Sequence, residues 1–272
     1  MAKLPHNVKS HSNPKSKPTS GTPKKLPQAG AQTPEIVSAG GPEKIVSMHA
    51  AYKSGQEIMD GFLSRPYEGG ARSAIVLIHG YRGVDDGQRA VTRRFAKQGF
   101  SALSPDLFHE ETYTTPETCA LAKTSLDIPW AVEKIADSVA YLRRLPCVGK
   151  KKVAVMGFCM GGGLALYALA KSNVFSAGVI YYQSLFPDPE ELRDIEAPLQ
   201  CHYGTEDVNT TATEIEMFRE ALERFGKKYE IHMYKGAGHA FLNNPEKDDR
   251  PNRKAADQSV VRTTRWLKKV LA

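Results

Sequence analysis

Val153-Ala154-Val155-Met156-Gly157-Phe158-Cys159-Met160-Gly161-Gly162-Gly163-Leu164 decides how this chain is read. The first four residues form a short apolar run, as in a strand buried on both faces. Leu164 to Ala170 is apolar nearly all round and reads as a buried helix. Between them, Gly157-Phe158-Cys159-Met160-Gly161 has the form of the nucleophile elbow G-x-S-x-G, with sulfur in place of oxygen. The glycines have a mechanical reason. The elbow strains the backbone of its central residue while neighbouring segments pass close by, and residues without a Cβ permit both. Cys159 is thereby lifted above the carboxyl edge of a sheet, at a helix N-terminus. Free N–H groups and the helix dipole there favour thiolate, the reactive form of the side chain. The motif matches neither G-x-G-x-x-G nor G-x-x-x-x-G-K-[ST], the phosphate-binding forms.

Outward from the elbow, strand and helix patterns alternate. Ser73–Ile78, Phe100–Ser104, Ala177–Tyr182, Pro198–Tyr203 and Tyr229–Tyr234 read as strands. Apolar stripes mark helices: Val91 and Phe95; Ile128, Val132, Ile135, Val139 and Leu142; Ile215, Phe218, Leu222 and Phe225; Val260, Thr264, Leu267 and Leu271. Ile45–Met48 and Glu57–Leu63 read as a lead-in hairpin around Lys53–Gln56. This alternation, without a repeat, predicts an α/β fold with a mainly parallel sheet and helices on both faces. Residues 43–272 are expected to form that one domain. Residues 1–42 are rich in Lys, Pro, Ser and Thr and are expected to be a disordered basic tail.

Of the net charge of +7 over 272 residues, the tail supplies five units, through six lysines against Glu35 alone. The domain is then close to neutral, which argues against a specific nucleic-acid face. No apolar run reaches the roughly 20 residues of a membrane span. No secretory signal is visible, and Cys119, Cys147, Cys159 and Cys201 lack metal-ligand or C-x-x-C spacing. The expected location is cytoplasmic, with no membrane partner and no metal.

Function in such sheets gathers at the carboxyl ends of the strands. Two ends besides the elbow carry an acid and a histidine: Gly204-Thr205-Glu206-Asp207 and Gly236-Ala237-Gly238-His239-Ala240-Phe241. The order Cys159, Asp207, His239 is that of an α/β-hydrolase triad. Cys159 is the expected nucleophile, His239 the base and acid, and Asp207 the group that orients the imidazole. Glu206 is the rival acid, and a helix cap is the other role open to Asp207. Oxyanion donors are expected from the backbone N–H groups of Met160 and Tyr81. His79, at a strand end, is expected to pack or hydrogen-bond, while His109, His202 and His232 receive no role.

Gly157–Gly162, Ser104–Phe108, Ala177–Tyr182, Gly204–Asp207 and Gly236–Phe241 together resemble the dienelactone hydrolase family of α/β-hydrolases. The resemblance runs from about residue 45 to 272. It implies a Cys159–His239–Asp207 triad that hydrolyses a small ester or lactone through a thioester acyl-enzyme, without a metal or organic cofactor. The departures bear on substrate. The family's glutamate that touches the resting cysteine is replaced by Gly80, and its two carboxylate-binding arginines by Glu110 and Asn243. Arg82 is the nearest candidate substitute. Tyr181, Tyr182, Phe108 and Trp130 are expected pocket residues. Two other readings stay open: a peptidase or other hydrolase on this scaffold, and a catalytically silent binding protein.

Overall fold

A computed structural model describes residues 44–244 and 249–272. The tail expected over residues 1–42 lies outside the described residues. The domain is built on one eight-stranded sheet. In chain order the elements are β1 (Ile45–Ser54), β2 (Glu57–Pro66), β3 (Ala74–Ile78), α1 (Asp86–Lys97), β4 (Ser101–Pro105), α2 (Pro116–Ser125) and α3 (Ile128–Arg144). There follow β5 (Val153–Phe158), α4 (Met160–Lys171), β6 (Ala177–Tyr181), β7 (Leu199–Gly204), α5 (Ala212–Arg224), β8 (Tyr229–Tyr234) and α6 (Arg250–Val270). A 3-10 turn, Pro189–Asp194, precedes β7.

The strand order is β1-β2-β4-β3-β5-β6-β7-β8. The β1–β2 and β2–β4 pairs are antiparallel, and every later pair is parallel. The parallel strands alternate their side chains between two apolar layers. Ala74, Val76 and Ile78 of β3 join Val153 and Val155 of β5 on the layer that holds α3, α4 and α5. Ile75, Leu77, Ala154, Met156 and Phe158 point to the opposite layer, against α1 and α6. Both faces being covered, β3 and β5 are buried throughout. That explains their unbroken apolar sequence. The fold class read from the sequence is the one observed. No helix of the described residues is long and apolar enough to cross a membrane.

Three elements differ from the sequence reading. The hairpin is longer than its apolar segments, with ten-residue strands paired from Ile45↔Pro66 to Ser54↔Glu57. Its outer strand buries only alternate residues late in its length, Ala50, Tyr52 and Ser54. Tyr52 there stacks on Tyr141 of α3 at 4.6 Å and shares a 2.9 Å hydrogen bond with Ser138. Helix α2 has a weak apolar face and no counterpart in the sequence reading; Thr115 caps its N-terminus, accepting from the Thr118 N–H. Helix α6 starts at Arg250, well before Val260, with Asp249 as its cap.

At the β5–α4 turn the backbones approach too closely for side chains at two positions. A methyl group at Gly157 would lie 1.9 Å from the Gly161 carbonyl oxygen, and one at Gly161 would lie 2.4 Å from the His79 carbonyl oxygen. Both neighbours are backbone and cannot swing aside. Gly157→Ala is therefore expected to destabilise the domain by about 3 kcal/mol or more. Gly149, at φ 57° with no atom within 4 Å of an added methyl, serves as the control. Gly149→Ala should cost only the backbone term, about 1–2 kcal/mol. Urea unfolding midpoints compare the two.

Candidate active site

Cys159 sits between β5 and α4 at φ 54° and ψ −119°, a region that side chains rarely occupy. Three backbone bonds hold it there. Its N–H donates to Tyr181 O at 3.0 Å, and its carbonyl accepts from Gly162 N at 3.0 Å and from Ser184 N at 3.1 Å. The side chain is buried but not sealed, at 6% exposure. It faces the Ser184 hydroxyl, with Sγ···Oγ at 3.2 Å.

Asp207 lies in the loop after β7, and His239 in the loop after β8. The loops are joined through their backbones: Thr205 N donates to Tyr234 O at 3.0 Å and Glu206 N to Ala237 O at 2.9 Å. The closeness requires a glycine at 204, where a methyl would lie 2.1 Å from the Ala237 carbonyl oxygen. Asp207 is buried and Glu206 exposed. The Asp207 carboxylate accepts from His239 Nδ1 at 2.8 Å through Oδ2 and at 3.0 Å through Oδ1. Oδ1 also accepts the N–H groups of Asn209 and Thr210, at 2.8 and 3.0 Å. Helix α5 is capped by Thr211 with Glu214, so Asp207 does not cap it.

The His239 ring and the Cys159 sulfur are close enough for each to shift the other's titration. Burial pushes the Cys159 thiol up. His239, then Ser184 and the Met160 N–H outweigh burial and hold it below the usual thiol value. For His239, burial acts downward; the Asp207 carboxylate and the Cys159 sulfur overcome it and raise the imidazolium to about 9. The opposite shifts favour a thiolate beside an imidazolium, with Asp207 behind the ring.

The other expected residues separate into two groups. Tyr182 is at the site, its ring 5.1 Å from that of His239 and its hydroxyl donating to Asn243 Oδ1 at 2.9 Å. Tyr81, half-buried on the loop after β3, lies close enough to Cys159 for the sulfur's charge to raise its phenol, after burial. Arg82 interacts with Tyr81 and with Asp85. Phe108 packs against His79 at 4.8 Å and Tyr113 at 5.3 Å. Tyr181 is turned toward α6: it stacks on His202 at 4.4 Å and its hydroxyl meets Thr263 at 2.9 Å. Trp130 faces the β1–β2 turn, donating from Nε1 to Glu57 at 3.0 Å and packing on His109 at 5.4 Å.

His79 is fully buried. Its Nδ1 donates to Gly80 O at 2.7 Å and its Nε2 accepts the Leu107 N–H at 3.0 Å, tying β3 to the loop after β4. Burial lowers its pKa and keeps it neutral. Position 80 faces the nucleophile: a methyl there would lie 3.4 Å from Cys159 Cβ. Glu110 donates its N–H to Asp106 Oδ2 at 2.9 Å, and its carboxylate lies 3.6 Å from His49. Ser184 was not singled out by sequence; its one signal is a place just beyond a strand end.

Residues 59–271 match the Dienelactone hydrolase family. The carboxymethylenebutenolidase of Rhodococcus opacus is 29% identical over 222 residues, which cover 77% of this chain and 86% of that one. Among solved structures, the dienelactone hydrolase of Anabaena variabilis ATCC 29413 superposes with a TM-score of 0.65 at 24% identity, covering 84% of this chain and 99% of that one. The dienelactone hydrolase-like promiscuous phosphotriesterase P91 from metagenomic libraries gives a TM-score of 0.74 at 18% identity, covering 84% of this chain and 99% of its own. These two likenesses show a shared fold. The family match spans the elbow, the acid loop and the histidine loop: the chain belongs to the dienelactone hydrolase family.

Proposed function

We propose that this chain is a cysteine hydrolase that cleaves a small ester, lactone or thioester through Cys159, His239 and Asp207. The observation that carries the reading is the position of His239, which holds the Asp207 carboxylate at 2.8 Å and interacts with the Cys159 sulfur on the same ring. Each residue follows a different strand, β5, β7 or β8, which supports a site assembled at the carboxyl edge of the sheet.

The chemistry runs in two halves. The Cys159 thiolate attacks the substrate carbonyl carbon, forming an S–C bond and moving the C=O π pair onto oxygen. The Met160 and Tyr81 N–H groups receive that oxyanion. Its collapse breaks the C–O bond to the leaving group, which takes a proton from the His239 imidazolium. His239, now neutral, removes a proton from water as the water attacks the thioester. The second collapse breaks the S–C bond, releases the acid and restores thiolate and imidazolium. Asp207 keeps Nδ1 protonated throughout and faces the charge on the ring. With Glu110 and Asn243 where the family pattern has arginines, neither position supplies a cation for a substrate carboxylate. The reading therefore favours uncharged acyl groups, with Arg82 as the nearest guanidinium in the loop after β3.

Mixing the protein with an activated aryl ester should give a burst of phenol and an acyl adduct on Cys159 by peptide mass spectrometry. Cys159→Ala should abolish both while leaving the melting temperature within a few degrees; an adduct on Cys201 with none on Cys159 would refute the assignment. Asp207→Asn should lower kcat roughly 10²–10⁴-fold by losing the ring's orientation. The pH profile of kcat/KM should be a bell. Its alkaline limb should fall near pH 9, where His239 loses the proton owed to the leaving group. Its acid limb should fall below the usual thiol range, where Cys159 is protonated. Residues 43–272 are proposed to hold this activity, and a chain lacking 1–42 should keep the full-length kcat/KM.

A further inference from the structure

We infer that the Ser184 hydroxyl is a catalytic hydrogen-bond donor that holds the Cys159 sulfur as a thiolate. The inference rests on Cys159 being the reactive sulfur. Ser184 touches the nucleophile twice. Its N–H donates to the Cys159 carbonyl at 3.1 Å, and its Oγ lies 3.2 Å from Cys159 Sγ. Its own carbonyl accepts from Lys123 Nζ of α2 at 3.2 Å. The backbone bonds aim the hydroxyl without the side chain having to choose among partners. Against a neutral thiol either group donates. Against a thiolate only the hydroxyl has a proton to give.

The need for such a donor follows from burial. Cys159 is nearly enclosed, and enclosure penalises the charged form. Gly80, whose position faces Cys159 Cβ, contributes no side-chain donor. His239 supplies one favourable partner, the Met160 N–H another and the Ser184 hydroxyl a third.

The effect on reactivity has two parts of opposite sign. A hydrogen bond that lowers the thiol by about one unit raises the thiolate population roughly tenfold at pH below the midpoint. It also makes that thiolate a weaker nucleophile, by about threefold, because nucleophilicity follows basicity with a slope near one half. The hydroxyl thus speeds the enzyme where the thiolate is scarce and slows it where the thiolate is complete. A residue that only packed against Cys159 would not produce that crossover.

The test is the pH dependence of iodoacetamide alkylation at Cys159, read on its own peptide by mass spectrometry, in the full-length protein. Ser184→Ala should raise the midpoint by about one unit. Its alkylation should be roughly threefold slower than wild type below the midpoint and roughly threefold faster on the alkaline plateau. Ser184→Thr, which keeps the hydroxyl, should return the profile toward wild type. Ser184→Gly provides a second hydroxyl-free variant and should match Ser184→Ala. Profiles of both hydroxyl-free variants that superpose on wild type would overturn the inference. Alkylation reports on Ser184 whether or not the protein turns over an ester. Failure of the proposed function would instead appear as no ester cleavage by the wild-type chain, or as unchanged cleavage in Cys159→Ala.

Discussion

Everything at the edge of this sheet depends on how closely β5 and α4 approach each other through Gly157 and Gly161. The distance from Gly157 to the Gly161 carbonyl leaves no room for a methyl group, and Gly161 in turn lies against the carbonyls that end β3. With the chain forced through so tight a reversal, Cys159 takes a positive φ and its side chain leaves the sheet plane. A backbone this strained persists only when its surroundings over-determine it. Here they do: Tyr181, Gly162 and Ser184 each bond the Cys159 backbone.

The polar site that results is assembled inside an apolar frame. His239 and Asp207 are buried, and Tyr182 packs on both the His239 ring and Phe241. Burying a carboxylate is costly unless its oxygens are filled. Asp207 fills them with the His239 ring and two backbone N–H groups of its own loop. The acid is thus held by the chain that carries it, independent of any substrate. The same economy governs His79, whose two nitrogens are satisfied by backbone and which stays neutral as a tie between strands.

The elbow, the alternation of strand and helix, and the order Cys159, Asp207, His239 were legible because each is local or ordinal. The glycines stand beside Cys159 in sequence, and strand ends are marked by Gly204 and Gly236. What escaped depends on relations between distant segments. Ser184 reaches Cys159 only because β6 pairs with β5. Tyr181 and Tyr182 are adjacent and share one apolar layer, yet the first bonds Thr263 of α6 while the second packs on His239; the turn of the chain just past β6, where Tyr182 has φ 36°, is a tertiary fact. The aromatic character of Trp130 suggests a pocket residue, and only the fold shows that its Nε1 donates to Glu57 at the β1–β2 turn. Helix α2 has little apolar periodicity to detect, although Thr115-Pro116 is a cap followed by a first-turn proline, a signal available in the sequence.

The central claim is that Cys159 rests as a thiolate paired with the His239 imidazolium. The difference in ultraviolet absorbance near 240 nm between the wild-type chain and Cys159→Ser, followed from pH 4 to 10, reads it directly. The account predicts a thiolate signal already present at pH 7, with a midpoint below that of a free thiol. It also predicts loss of that early signal in His239→Ala, where the opposing charge is gone. A difference signal that rises only with the midpoint of an ordinary thiol, unchanged by removal of His239, would contradict it.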